Sequence, residues 1–137
     1  MTIVPQYDSI AFGEAALKLR SYRQELIASN LVNADTPGYK AKDIAFGDVL
    51  RQQMSATSMK SGLALSVTSN KHLQASHSFD TAVQFRQAVQ PALDGNTVDP
   101  DVERTEFAKN SFMTEATLNF LSSSIRSRLS AISGQPS

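Results

Sequence analysis

From Asp101 to Ser133 the chain contains neither glycine nor proline, and this uninterrupted run constrains the fold more than any other feature. Asp99 stands before it as an N-cap, and Pro100 takes the first helical position, where a missing N–H costs nothing. Asp101 and Glu103 follow in the opening turn, at the positive end of the helix dipole, while Arg126 and Arg128 lie toward the negative end. Gly134 supplies the stop. At 1.5 Å per residue the helix reaches roughly 50 Å. Phe107, Ser111, Thr114, Leu118, Leu121, Ile125, Leu129 and Ile132 recur at spacings of three and four and trace one seam along it.

A second long helix is predicted at the other end. Residues 1–8 carry Pro5 and no periodicity and read as a disordered N-terminus. From Ser9 to Asn33 there is no proline and one glycine, Gly13. Phe12, Ala15, Leu19, Tyr22, Leu26, Ser29 and Asn33 form a seam, widened by Leu17, Ile27 and Leu31. Glu14 precedes Lys18 by one turn, the favourable order for a surface pair.

The two helices are unequal, and that decides what they are for. The shorter cannot cover the whole apolar face of the longer together with Phe112, Met113 and Phe120, so apolar surface is left for neighbouring subunits. The longer seam is also diluted by Ser111, Thr114, Ala116, Ser122, Ser123, Ser124 and Ser127. Such residues allow close approach but bury little area at about 25 cal/mol per Å². A hairpin of this kind is marginal alone and is stabilised by assembly.

Between the helices the chain must turn. Asn30 and Asn33 share a face near the helix exit, and Asn tolerates the left-handed conformation that ends helices. Thr36-Pro37-Gly38-Tyr39 fits a type II turn, with proline fixing φ at the second position and glycine supplying a positive φ at the third. Phe46, Val49, Leu50 and Met54 then predict a short amphipathic helix, and Ser55 to Gly62 a loop. Leu63, Leu65 and Val67 alternate as in a strand, whereas Val83, Phe85 and Val89 fit a strand or a helical turn. The expected organisation is mainly α. Helices at 9–34 and 99–133 pack as a coiled-coil-like hairpin, and residues 35–98 form a turn-rich middle with a short helix and strand.

Composition excludes several classes of function. Thirteen basic residues balance thirteen acidic ones, which disfavours nucleic-acid binding. No run approaches the roughly 20 apolar residues of a membrane span, and Met1-Thr2-Ile3-Val4-Pro5 has none of the features of a cleaved signal. There is no cysteine, and His72 and His77 are badly spaced for a metal on one helix face. The acidic residues Asp94, Asp99, Asp101 and Glu103 lack calcium-loop spacing, and no phosphate loop or nucleophile motif is present. No enzyme chemistry and no cofactor are expected.

The run from Ala28 to Lys40 resembles the signature of the flagellar rod-hook family, in which an Asn-rich helix end leads into Thr-Pro-Gly-Tyr. Asn30, Asn33, Thr36, Pro37, Gly38 and Tyr39 match that pattern position by position. A second stretch agrees, Leu93-Asp94-Gly95-Asn96-Thr97-Val98-Asp99 followed by Glu103-Arg104-Thr105, Phe107-Ala108 and Asn110-Ser111. The short length and the continuation Lys40-Ala41-Lys42-Asp43-Ile44-Ala45-Phe46 are similar to the membrane-proximal rod members. The resemblance implies a structural subunit of the bacterial flagellar basal body, exported through the type III channel without a cleaved signal into the periplasmic rod. It implies self-assembly into a helical tube between the MS ring with its export gate and the rest of the rod. Partners would be other copies, other rod proteins, the rod–MS-ring adaptor and the export gate. Leu19, Tyr22, Leu26, Leu118, Leu121, Ile125 and Leu129 are the residues expected to carry helix packing. The alternatives are another short rod protein and a soluble helical adaptor or export chaperone.

Overall fold

A computed structural model of the chain describes residues 8–59, 83–87 and 92–134. Two long helices, α1 (Ser9–Val32) and α3 (Pro100–Ser133), flank a shorter α2 (Phe46–Met59). Strands β1 (Lys42–Ile44) and β2 (Val83–Phe85) pair antiparallel, with Lys42 opposite Phe85, Asp43 opposite Gln84 and Ile44 opposite Val83. The fold is mainly helical, with α1 packed against α3 and a small β-containing middle, as the sequence predicts.

The helix ends follow capping chemistry. The Asp99 carboxylate accepts from the N–H groups of Asp101 and Val102, Pro100 opens α3, and Gly134 closes it at φ 68°. At the start of α1, the Asp8 carboxylate accepts from the Ile10 N–H at 3.1 Å. Asp8 is also ion-paired with Arg128, so that arginine bridges the two helices rather than sitting in the last turn of α3. Contacts from Asp8 to Arg128, Gln24 to Ser111 and Asn30 to Glu103 make the helix pair antiparallel.

The seam predicted along α1 is divided between two faces. Leu19, with Ala15, Tyr22 and Leu26 around it, turns toward α2 and the ribbon, where Ala16, Ile44, Val49 and Leu50 complete the core. The approach to α3 is lined by smaller and polar groups. A Cβ added to Gly13 would lie 2.9 Å from Leu121 Cδ1, and Asn110 donates to the Arg20 carbonyl at 3.0 Å and to Gln24 Oε1. The physical reason is the width of the apolar stripe: large residues on one flank of α1 fill the space over α2. Gly13 lets α3 come close on the other.

Two local expectations change. Ser55 to Met59 is helical rather than a loop, since no glycine or proline intervenes before Gly62. Asn33 ends α1 at φ −98°, ψ 16°, so no left-handed asparagine is used there. Val83–Phe85 is a strand, and β1, which periodicity did not reveal, is its partner. The predicted strand at Leu63–Val67, Val89 and both histidines lie outside the described residues.

Candidate functional site

The helix exit is where the two sequence motifs meet. After α1, the Tyr39 N–H donates to the Thr36 carbonyl at 3.2 Å and Gly38 has φ 72°, the hydrogen bond and positive φ of the predicted type II turn. This turn lies against Asp94-Gly95-Asn96-Thr97. The Gly38 N–H donates to the Asp94 carbonyl at 3.0 Å, the Thr97 N–H to the Tyr39 carbonyl at 3.0 Å, and the Ala41 N–H to Thr97 Oγ1 at 2.8 Å. Gly95, at φ 77°, keeps its backbone near that of Gly38, since an added Cβ would be 3.8 Å from the Gly38 Cα.

Asn96 clasps the exit. Buried, it directs its Nδ2 at three carbonyls, those of Asn33 at 3.2 Å, Ala34 at 2.7 Å and Thr36 at 2.9 Å, and accepts from the Val98 N–H at 2.7 Å. Two of these carbonyls have a second donor, the Thr36 N–H on Asn33 and the Tyr39 N–H on Thr36, so Asn96 ties together the turns that follow α1. Around them Asn33 donates to the Ser29 carbonyl, Thr36 Oγ1 donates to Asn33 Oδ1, and the Tyr39 hydroxyl lies 3.2 Å from Ser29 Oγ.

One turn back, Asn30 begins a buried polar network. Its amide accepts from the Lys42 N–H at 2.9 Å and donates to the Lys42 carbonyl at 2.8 Å, pinning β1 to α1. It also donates to Glu103 Oε2 at 3.2 Å. Glu103, only 1% exposed, is paired with Arg86, which also holds Asp43. Arg23 grips both oxygens of Asp43 at 2.8 and 2.9 Å and reaches Glu106 at 3.0 Å. Burial opposes the charge on Asp43, but hydrogen bonds from Arg23, Arg86 and the Ile44 N–H outweigh it and hold the carboxyl at about 2. For Glu103 burial wins: its pKa is raised despite Asn30 and Arg86.

Elsewhere α3 shows apolar side chains to solvent. On α3, Phe112 (69%), Phe120 (56%) and Leu129 (60%) are exposed, with Phe107, Met113, Leu118, Ile125 and Ile132. An open groove of about 380 Å³ runs between α1 and α3 beside Ser21, Gln24, Ser111, Thr114 and Leu118.

The motif residues Asn30, Asn33, Thr36, Gly38 and Tyr39 are thus brought together with the second motif. The packing residues separate. Leu19 is fully buried in the core with Tyr22 and Leu26 beside it, Leu121 lies under Gly13, and Leu118, Ile125 and Leu129 are exposed, Leu118 at the groove between α1 and α3. Sequence reading missed Asn96 as the clasp and the network of Arg23, Asp43, Arg86, Glu103 and Glu106. The available signal was opposite charge placed beside apolar seams, with Arg23 next to Tyr22 and Glu103 one turn before Phe107.

Among the described residues no group of His, Cys, Asp and Glu could hold a metal ion, and no helix is long and apolar enough to cross a membrane. A family model described as "Flagella basal body rod protein" matches residues 10–40, a span that runs along α1 and through the type II turn. Flagellar basal body rod protein FlgB of Salmonella typhimurium is 42% identical over 129 residues, covering 92% of this chain and 94% of its own length. The FlgB protein of Escherichia coli is 43% identical over 130 residues, 90% of this chain and 92% of its own. That of Yersinia enterocolitica is 42% identical over 127 residues, 90% and 93%. Identity of this extent spans both terminal helices, both motifs and the segment between them, and the chain belongs to the flagellar basal body rod protein family, beside the FlgB proteins.

Proposed function

We propose that this structural rod subunit assembles through the outer face of its helix pair, with copies of itself and other rod proteins side by side in a helical tube. At its inner end the tube meets the rod–MS-ring adaptor and the export gate, and the chain reaches the periplasm through the type III channel. It performs no catalysis. The observation that carries this reading is the set of exposed apolar side chains around α3, with Phe107, Leu118, Leu129 and Ile132 on one side and Phe112 and Phe120 on others. Monomeric surfaces rarely leave such a set open, and burial between neighbours stabilises it at about 25 cal/mol per Å². The motif residues Asn30 through Tyr39 then set the angle at which the chain leaves the helical layer. Leu118, Ile125 and Leu129 are the packing residues that offer surface to a neighbour; Leu19 and Leu121 act within the chain.

Electron microscopy of basal bodies from a strain lacking the gene tests the role directly. Rings without a rod are expected; complete rods in normal number would favour a soluble helical adaptor. Leu118→Asp in the full chain sharpens it: the free protein keeps its stability, while rods and swimming are lost.

A further inference from the structure

The ribbon strand β2 has little apolar holding power. It is three residues long, its one partner strand among the described residues is β1, and of its side chains Phe85 is 70% exposed and Gln84 is exposed, leaving Val83 to pack on the core. Two-stranded ribbons are marginal without further support. That support comes from the next residue. Arg86 N–H donates to the Ala41 carbonyl at 2.8 Å, extending the ladder by one step. Its guanidinium spans Asp43 Oδ2 and Glu103 Oε1, both at 2.5 Å. One side chain therefore ties β2 to β1 and to α3 together.

We propose that Arg86 is a latch: its guanidinium holds the β1–β2 ribbon against the helix pair, and its release frees β2 while α1 and α3 stay closed. The helix pair has fastenings of its own that do not involve Arg86. Asn110 holds the Arg20 carbonyl and Gln24, Leu121 lies under Gly13, and Arg128 holds Asp8. Arg23 keeps Asp43 and Glu106 paired, and Asn30 keeps Lys42, whether or not Arg86 is in place. The charged groups around the latch are Asp43 on β1, Arg23 on α1, and Glu103 and Glu106 on α3, with Lys109 at 3.7 Å from Glu106. Removing Arg86 from this set leaves one guanidinium for three carboxylates. Release is therefore resisted at neutral pH and eased when the carboxylates take up protons. Resting on the assembly reading above, the latch lets the middle of the subunit be repositioned among its neighbours without unpacking the terminal helices.

The test uses the free full-length chain, so its outcome is independent of whether that chain builds a rod. Amide hydrogen exchange is compared in the natural protein, Arg86→Met and Arg86→Lys. With Arg86→Met the ladder amides at Gln84 and residue 86 should exchange at least about tenfold faster, and amides in the middle of α1 and α3 less than about twofold faster. Arg86→Lys keeps the cation but cannot span two carboxylates, so the same selective change should appear in smaller measure. Chymotrypsin should cut after Phe85 faster in both variants. Unchanged ladder amides overturn the latch. So does a uniform rise across ladder and helices in both variants, because it makes Arg86 a general support of the fold instead.

Discussion

The two ends of the helix pair are held by different physics. Around Asn30 and Glu103 the pair is fastened by directional polar groups, each with a named partner and nearly all of them out of water. Beyond Asn110, α3 carries one charge, Glu115, before Arg126, and shows small residues and exposed phenylalanines and leucines. The fastened end can exist in only one register, because sliding α3 by a turn would leave Glu103 and Arg86 buried without each other. The bare end specifies little by itself and leaves surface for others. Register is thus set inside the chain at one end, and the proposed assembly draws on the surface of the other.

Breaking the fastened end should produce the largest effect on the free chain. Asn30→Leu keeps the branching at Cγ but is larger and leaves the Lys42 N–H and carbonyl without their side-chain partner, which should cost about 3 kcal/mol in urea unfolding. A loss below about 1 kcal/mol would mean that the polar fastening is redundant. Next comes acid. Asp43 is held at about 2, below the roughly 3.9 of an unfolded chain, so its contribution of about 2.5 kcal/mol is complete above pH 4 and lost as pH falls through 2. Glu103 is raised, so its contribution has the opposite sign, complete below its unfolded value and lost as pH rises through its folded one. Stability should therefore improve slightly from pH 7 toward 4 and then fall, and Asp43→Asn should flatten the acid limb of urea midpoints against pH. Asn96→Ala takes the side-chain donor from the Ala34 carbonyl, while those of Asn33 and Thr36 keep their backbone donors, and about 1 kcal/mol is expected in the same assay.

The bare end should respond weakly in isolation. Leu118→Asp is expected to change free-chain stability by less than about 0.5 kcal/mol, in contrast to its effect on assembly. A large destabilisation would move Leu118 into the intramolecular core. Gly13→Ala is the smallest change: the added Cβ meets only the tip of Leu121, which can rotate, and the gain in helix propensity offsets the shift. A thermal midpoint within a few degrees of the natural protein is expected.

Much of this was legible in the sequence because local chemistry decides it. Asp99, Pro100 and Gly134 mark the ends of α3, and Thr36 to Tyr39 make their turn, through groups adjacent in the chain. Periodicity located both long helices and α2 but did not separate the two flanks of α1, because Leu19 and Gly13 lie within one broad stripe. β1 was illegible, since Lys42-Asp43-Ile44 has no alternation and is fixed by Asn30 and by a partner strand some forty residues away. The same holds for Asn96, whose three acceptors lie sixty or more positions earlier. Long-range polar pairing leaves no period to read.

The clasp between Gly38–Ala41 and Asp94–Thr97 makes the chain leave and re-enter the helical layer through one doorway. Whatever is strung between these points is returned to the same place, so its length is uncoupled from the geometry of the helices. Closing a loop twice as long costs only about 0.6 kcal/mol more. A folded insert placed between Met59 and Val83 should therefore ride outside the layer as cargo, while the doorway and the helix pair keep their shape.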